Sequence, residues 1–345
     1  MTEQTQQAVG AAAAALHAEA IVINGRDSTP AERFSPDYLD ELQGGGVTAT
    51  AVITVRTLAG GNNFEGGVLG IHAYLTAFRE MVGDRCLVVR TVADVREAKR
   101  RGAVGVILGF RDLMPIEDNL DYLSTYCELG IRITQLTYNR QNLLGSGCAE
   151  PRDSGLSRFG REVVKALNGL GIVLNLAHAG ERTALEAMDL TESPPIYSHG
   201  FAKGISGHIR GVSDECLARL AERGGVVGVI TLSSFLRRDG GDKGSTLEDY
   251  FAHIDYITEK VGVRHVGIGL DNNYGKPLND DVRHASKFPE FGPPPPPGYR
   301  TVRELRSLRN VPLITEGLLQ RGYSREDILG ILGGNFMRVF EQVWG

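Results

Sequence analysis

Two short apolar runs, GIVLNLA (171–177) and PIYS (195–198), each end in a histidine, His178 and His199, with one helical stretch between them. Runs of β-branched and aliphatic residues bounded by turn formers read as strands buried on both faces, as in a parallel sheet. Six further runs of this kind occur: AIVIN (20–24), VTATAVITV (47–55), VGVIL (104–108), IRITQLT (131–137), GVVGVITL (225–232) and HVGIGL (265–270). Helical segments separate them, over 68–82, 118–130, 160–171, 213–225, 246–262 and 324–344. Ser213, Thr246 and Ser324 stand where helix N-caps belong. Eight β units alternating with helices predict an α/β fold, a (β/α)8 TIM barrel, rather than a doubly wound sheet. A doubly wound sheet would more often carry a glycine-rich phosphate turn after its first strand. LAGGNNFEGG (58–67) is rich in glycine without fitting GxGxxG, so it is weak evidence for one.

In such a barrel the chemistry sits at the carboxyl ends of the strands. Successive strands ending in His178 and His199 put two imidazoles over one mouth. Either alone reads most simply as a strand-end residue bonded to a backbone carbonyl. As a pair they match what metal-assisted hydrolases use. The first strand is followed by Asn24, Arg26, Asp27 and Ser28, the third by Arg111 and Asp112, the fourth by Tyr138, Asn139 and Arg140, and the eighth by Asp271, Asn272 and Asn273. Strand ends that meet solvent are polar anyway, which accounts for the Asn and Ser residues. It accounts less well for two His, two Arg and an Asp converging on one rim.

Composition narrows the partners. The 345 residues suffice for one large α/β domain, read as 1–345 with a helical extension over 1–19 and C-terminal helices. A formal net charge of −5 argues against nucleic acid or an anionic membrane as partner. Cys86, Cys127, Cys148 and Cys216 are scattered with no CxxC, as expected of reduced thiols in a cytoplasmic protein. The N-terminal apolar stretch is an alanine run with no basic segment before it, and no run of about 18 apolar residues reads as a membrane span. GPPPPPG (292–298), within a proline-rich surface loop over 286–300, is polyproline II in character and cannot be helix or central strand.

Five segments carry a family resemblance: ELGIRITQLTYNRQN (128–142), SGLSRFGREVVKALNGLGIVLNLAH (154–178), SPPIYSH (193–199), HVGIGLD (265–271) and GGNFMRVFEQVW (333–344). In these the chain resembles the membrane (renal) dipeptidase family, zinc hydrolases of the amidohydrolase-like barrel group. The resemblance implies a two-zinc site. A His-x-Asp pair follows the first strand, a bridging Glu the third, two His the fifth and sixth, and an Asp the eighth. His178, His199 and Asp271 match the last three of these ligands. Arg210, in SGHIRGVSDE, matches an arginine that holds the substrate carboxylate. Tyr138 stands where the family often has a His that polarises the scissile carbonyl, and some relatives read LTYN as here.

The departures fall on the metal ligands. Where the family reads DGHxD this chain reads NGRDS, so the His falls on Arg26 and the Asp on Ser28. The bridging Glu falls on Arg111, and Asn175 and Ala177 replace an Asp and a Ser beside His178. Arginine is cationic at any accessible pH and has no lone pair to donate. Two guanidinium groups in place of ligands therefore argue against an intact zinc pair. Asp27 and Asp112 are next to the lost ligands but would point to the other side of an extended segment. A single zinc on His178, His199 and Asp271 is the metal-binding alternative, since three protein ligands suffice.

The leading expectation is a dipeptidase-like enzyme without cofactor, acting on a small anionic, amino-acid-derived substrate in a specialised pathway. Arg26, Arg111 and Arg210, with Asn139, would bind the anion. His178 and His199 would act as general acid and base, helped by Asp271 and Tyr138. Asp271 would offset one arginine. Unactivated amide hydrolysis is harder to reach, because no Ser–His or Cys–His arrangement is evident. The second expectation is a dipeptidase with a rebuilt single-zinc site. The third is a non-catalytic binding or partner protein that keeps the barrel, with Arg26–Asp271 a structural ion pair. Family habit makes a homodimer plausible.

Overall fold

A computed structural model describes residues 3–55, 62–237, 244–276, 287–292 and 300–345. Among these residues the strands are β1 (Ile23–Asp27), β2 (Ala49–Ile53), β3 (Cys86–Val88), β4 (Val104–Phe110), β5 (Ile131–Gln135), β6 (Val173–Asn175), β7 (Ile196–Gly200), β8 (Val226–Val229) and β9 (Val266–Ile268). All pairings are parallel. The ring runs β1–β2–β4–β5–β6–β7–β8–β9 and closes from β9 to β1, an eight-stranded barrel with flanking helices. The fold is the (β/α)8 barrel that the sequence predicts.

The sequence reading misses β3. It is three half-buried residues long, too short to show a period, and it pairs with the first half of β4 on the edge whose second half takes β5. The first strand also starts later than read and carries Arg26 and Asp27 within it, both buried. Ser213, Thr246 and Ser324 cap helices Asp214–Glu222, Leu247–Val261 and Arg325–Leu329, the last two through full capping boxes. Most of the GPPPPPG segment and residues 58–61 of the glycine-rich segment lie outside the described residues. Asn63, within that second segment, caps helix Phe64–Ala77 through its side chain.

The barrel interior is packed by inward residues from successive strands: Ile23, Ala49, Ile107, Ile133, Val173, Ile196 and Val226. Phe336 and Phe340, from the C-terminal helix Asn335–Trp344, plug its amino-terminal end. With the floor sealed, the polar residues gather at the other end. There the carbonyl of Ser198 in β7 leans across the barrel. A Cβ at Gly25, Gly228 or Gly269 would lie 2.4, 2.4 or 2.2 Å from that oxygen, so three neighbouring backbones approach β7 only because they carry glycine.

Candidate active site

Arg26 leaves β1 near its end and is almost fully buried. Its Nη1 donates to Oε1 of Gln135 (2.9 Å), at the end of β5, and Gln135 Nε2 donates to the Ala177 carbonyl (2.9 Å). Its Nε lies 3.6 Å from Asp271 Oδ1. The Ser28 hydroxyl donates to the same carboxylate oxygen at 2.7 Å. Asp271 follows β9 with φ 49°, and His178 follows β6 with φ 70°. Left-handed backbone at non-glycine residues costs of order 1–3 kcal/mol and concentrates where geometry is functional. Both residues belong to the set that the sequence singled out.

The two histidines meet directly, His178 Nε2 to His199 Nε2 at 3.0 Å. His199 Nδ1 bonds the Ser198 hydroxyl (2.8 Å), and His178 Nδ1 bonds Asn139 Oδ1 (2.5 Å). The Arg210 guanidinium lies against the His178 ring, Nε 3.3 Å from Nδ1 and Nη2 3.1 Å from Nε2. A single planar group that reaches both ring nitrogens lies across the ring face. Arg210 also sits 4.8 Å from the Phe235 ring centroid and 5.8 Å from that of Phe201. Tyr138 packs on His178 with centroids 4.4 Å apart, and the Arg111 guanidinium stands 4.7 Å from the Tyr138 centroid.

Burial dominates the electrostatics. It pushes both imidazoles well below their ordinary range, with the Arg210 charge next, so both are neutral near pH 7. Burial, then the neighbouring Arg111 charge, brings the Arg26 guanidinium down to about 9. Burial would raise the Asp271 carboxyl, yet nearby positive groups hold it below the usual carboxylate range. His199 is neutral near pH 7, so the lasting contributors are Arg26, Arg300 and Arg210. Several buried polar atoms of this cluster have no hydrogen-bond partner among the described residues: Arg26 Nε, Arg111 Nε, Arg210 Nη1, Asn139 Nδ2 and Thr137 Oγ1.

These donors do not fit a zinc pair. Among the described residues no three His, Cys, Asp or Glu side chains are grouped so as to hold a metal, so His178, His199 and Asp271 are not brought into a common ligand set. The Nε2 atoms that a zinc ion would use are turned on each other, His178 to His199 at 3.0 Å. The Asp271 oxygen faces Arg26 and Ser28. Asp27 is no substitute, because its carboxylate accepts from Tyr38 Oη (2.6 Å), Thr29 N (2.9 Å), Thr50 Oγ1 (3.1 Å) and Asn272 Nδ2 (3.1 Å). Asp112 accepts from the Met114 backbone at 3.0 Å.

The fold thus brings together Arg26, Arg111, Tyr138, Asn139, His178, His199, Arg210 and Asp271. Sequence reasoning missed Gln135, Ser198, Phe201 and Phe235. Gln135 and Ser198 sit on strands that read as plain barrel strands, and their partners come from other strands. Phe201 follows His199 by two residues, a spacing that places it near the same mouth; nothing local marks Phe235.

A closed parallel barrel with its polar groups gathered at this mouth is the amidohydrolase-like barrel that the resemblance implies. The chain belongs to the membrane dipeptidase family, peptidase family M19, whose model matches residues 59–292 and 296–344. It is 30% identical over 248 residues to an uncharacterized dipeptidase of Schizosaccharomyces pombe, covering 71% of this chain and 54% of that one. It is 31% identical over 244 residues to the dipeptidase aclJ of Aspergillus oryzae, covering 70% of this chain and 52% of that one. The chain therefore spans about half the length of these curated relatives. Among solved structures, an amidohydrolase from Pseudomonas aeruginosa superposes with TM-score 0.86 at 33% identity, covering 96% of this chain and 99% of that one. The probable dipeptidase PvdM from the same organism superposes at 0.82 with 18% identity, covering 98% and 99%, a likeness of fold.

Proposed function

We propose that this chain is a dipeptidase-family enzyme that works without the binuclear zinc centre, on a small anionic molecule derived from amino acids. The observation that carries the reading is the set of unpartnered donors on three arginines, Arg26 Nε, Arg111 Nε and Arg210 Nη1. Two of these arginines stand at positions where the family places metal ligands. A buried guanidinium N–H that lacks a hydrogen-bond acceptor is costly, and a carboxylate or phosphate oxygen would satisfy it. That the curated relatives are named dipeptidases supports an amino-acid-derived substrate.

In this reading Arg26, Arg111, Arg210 and Asn139 hold the anion. The His178–His199 pair is the proton-transfer unit, with Tyr138 packed on His178 and Asp271 balancing Arg26. The two imidazoles, neutral near pH 7, can relay a proton through their Nε2–Nε2 contact, and proton transfer with electrostatic clamping suits isomerisation, elimination or attack at an activated carbonyl. The four cysteines are unpaired, in keeping with a reducing cytoplasmic setting; a homodimer and a place in specialised metabolism complete the proposal.

The test is elemental analysis of tag-free protein purified with and without added zinc, alongside turnover of candidate anionic metabolites by wild type, Arg26→Ala and His178→Ala. The reading expects no stoichiometric zinc in either preparation and loss of turnover in both variants. Zinc at about one per chain or more, with chelator-sensitive dipeptide cleavage, would restore the metal-dependent alternative.

A further inference from the structure

The hydrogen bonds around the histidines have a direction that can be traced from the backbone outwards. Asn175 Oδ1 accepts from the backbone N–H groups of Ala177 (3.1 Å) and Ser198 (3.1 Å). Two obligatory donors fix that amide, so its Nδ2 is the end that donates to Ser198 Oγ at 2.8 Å. The Ser198 hydroxyl has no other acceptor among the described residues than His199 Nδ1. It donates there, which leaves the His199 proton on Nε2. His199 Nε2–H then donates to His178 Nε2, which leaves the His178 proton on Nδ1, and Nδ1–H donates to Asn139 Oδ1. Arg210 lies across the ring face and does not take the Nδ1 lone-pair direction. The Cys148 thiol, at 3.7 Å, aims its S–H at the same Asn139 oxygen. With Oδ1 so occupied, Asn139 Nδ2 is the end left buried and unpartnered.

We infer that Asn175 and Ser198 are positioning residues that set the polarity of this relay, turning the Asn139 amide N–H toward the ligand, so that every open nitrogen of the site is a donor and the site takes a dianion. The inference rests on the anion-binding reading above and goes further in fixing the ligand's charge and hydrogen-bonding character. The unpartnered nitrogens, Arg26 Nε, Arg111 Nε, Arg210 Nη1 and Asn139 Nδ2, are all donors. Arg26, Arg111 and Arg210 against the Asp271 carboxylate leave a formal charge of +2 within this cluster, and Arg300, which also acts on Asp271, adds to the positive excess. An acceptor-only group with two negative charges matches both counts: a dicarboxylate or a phosphate monoester. A zwitterionic dipeptide, whose ammonium group needs acceptors, matches neither.

Two measurements test this on the whole protein. The first is the long-range proton–nitrogen spectrum of the ligand-free histidines, assigned with His178→Gln and His199→Gln. It is expected to show His199 as the Nε2–H tautomer and His178 as Nδ1–H, with Ser198→Ala losing the His199 preference. The reverse tautomers in wild type would overturn the relay, and this readout holds even if the Ser198 variant does not fold. The second is calorimetric titration at about pH 8, where the second phosphate proton is off, with inorganic phosphate, malonate and acetate. Phosphate or malonate is expected to bind at least about tenfold more tightly than acetate, and whichever is tighter identifies the source of the dianion. Equal binding of acetate would overturn the inference while leaving the anion-binding reading standing. No binding of any of the three would overturn both.

Discussion

Arg26 and Asp271 form an ion pair across the junction of the first and last barrel strands, Nε 3.6 Å from Oδ1, with Ser28 donating to the same oxygen. The family resemblance implies metal ligands at all three positions. Here a guanidinium and a hydroxyl hold the carboxylate instead. Removing one member of a buried pair leaves the other uncompensated, at a cost of about 3–5 kcal/mol. Arg26→Ala should sit at the low end, about 3 kcal/mol, because Ser28, Arg210 and Arg300 still serve Asp271. A double-mutant cycle with Asp271→Asn, measured by urea unfolding, should show positive coupling of about 1–3 kcal/mol. Strict additivity would mean that the pair is not formed in solution.

Acid should destabilise this protein early. His178, His199, His17, His208, His253 and His265 all have lowered values, each chiefly through burial. A histidine kept neutral in the fold binds its proton more readily when unfolded. The unfolded chain therefore gains protons first as pH falls below about 6.5, and stability drops from there until the folded-state value is passed. For His208 and His253, both at about 4, that window is about pH 6.5 to 4 and the loss roughly 3 kcal/mol each. Asp271 adds a loss only at lower pH, because its folded value is depressed below the unfolded one near 3.9. Urea midpoints measured from about pH 7 down to about pH 4.5 should fall steadily. A flat profile would show that these imidazoles are hydrated in solution.

The barrel was legible in the sequence because a strand buried on both faces writes itself as an unbroken apolar run, and closure needs eight of them. Strand β3 was not legible, since three half-buried residues show no period. The site was half legible. His178, His199 and Asp271 end strands in phase, and Arg26 and Arg111 stand out because they displace ligands. Ser198, Asn175 and Gln135 are uncharged residues inside strands, and their roles depend on which strands lie beside them, a matter of register. The mutual contact of the two imidazoles was likewise out of reach, because it depends on the lean of β7 across the barrel.

That lean makes a prediction of its own. Gly269 lies against the Ser198 carbonyl, where a Cβ would stand 2.2 Å from the oxygen, and the obstacle is backbone rather than a flexible side chain. Gly269→Ala must therefore move β7 or β9. It should cost about 3 kcal/mol, the upper range for overpacking, and disturb the His178–His199 contact. Gly10→Ala, with nothing near its Cβ and helix around it, should raise stability slightly. Thermal unfolding of the two variants should separate them in opposite directions, and equal melting temperatures would sink the argument.

If guanidinium groups have taken the place of metal ligands, restoring the ligands should restore the metal. The variant Arg26→His, Ser28→Asp, Arg111→Glu removes two positive charges and adds two carboxylates and an imidazole. It also releases Asp271 from the Arg26 and Ser28 contacts that now occupy it. His178 and His199 already bring their Nε2 atoms within 3.0 Å of each other, a separation that two ligands of one zinc ion can adopt. Arg210 remains, at the position that the resemblance assigns to the substrate arginine. Elemental analysis after zinc reconstitution should find about two zinc ions per chain in the triple variant and none at stoichiometric level in wild type. A folded triple variant that takes up no zinc would show that the barrel mouth has been reshaped beyond these three residues. Zinc in wild type at the same level would show that the arginines swing aside, and the proposed chemistry would have to be given up.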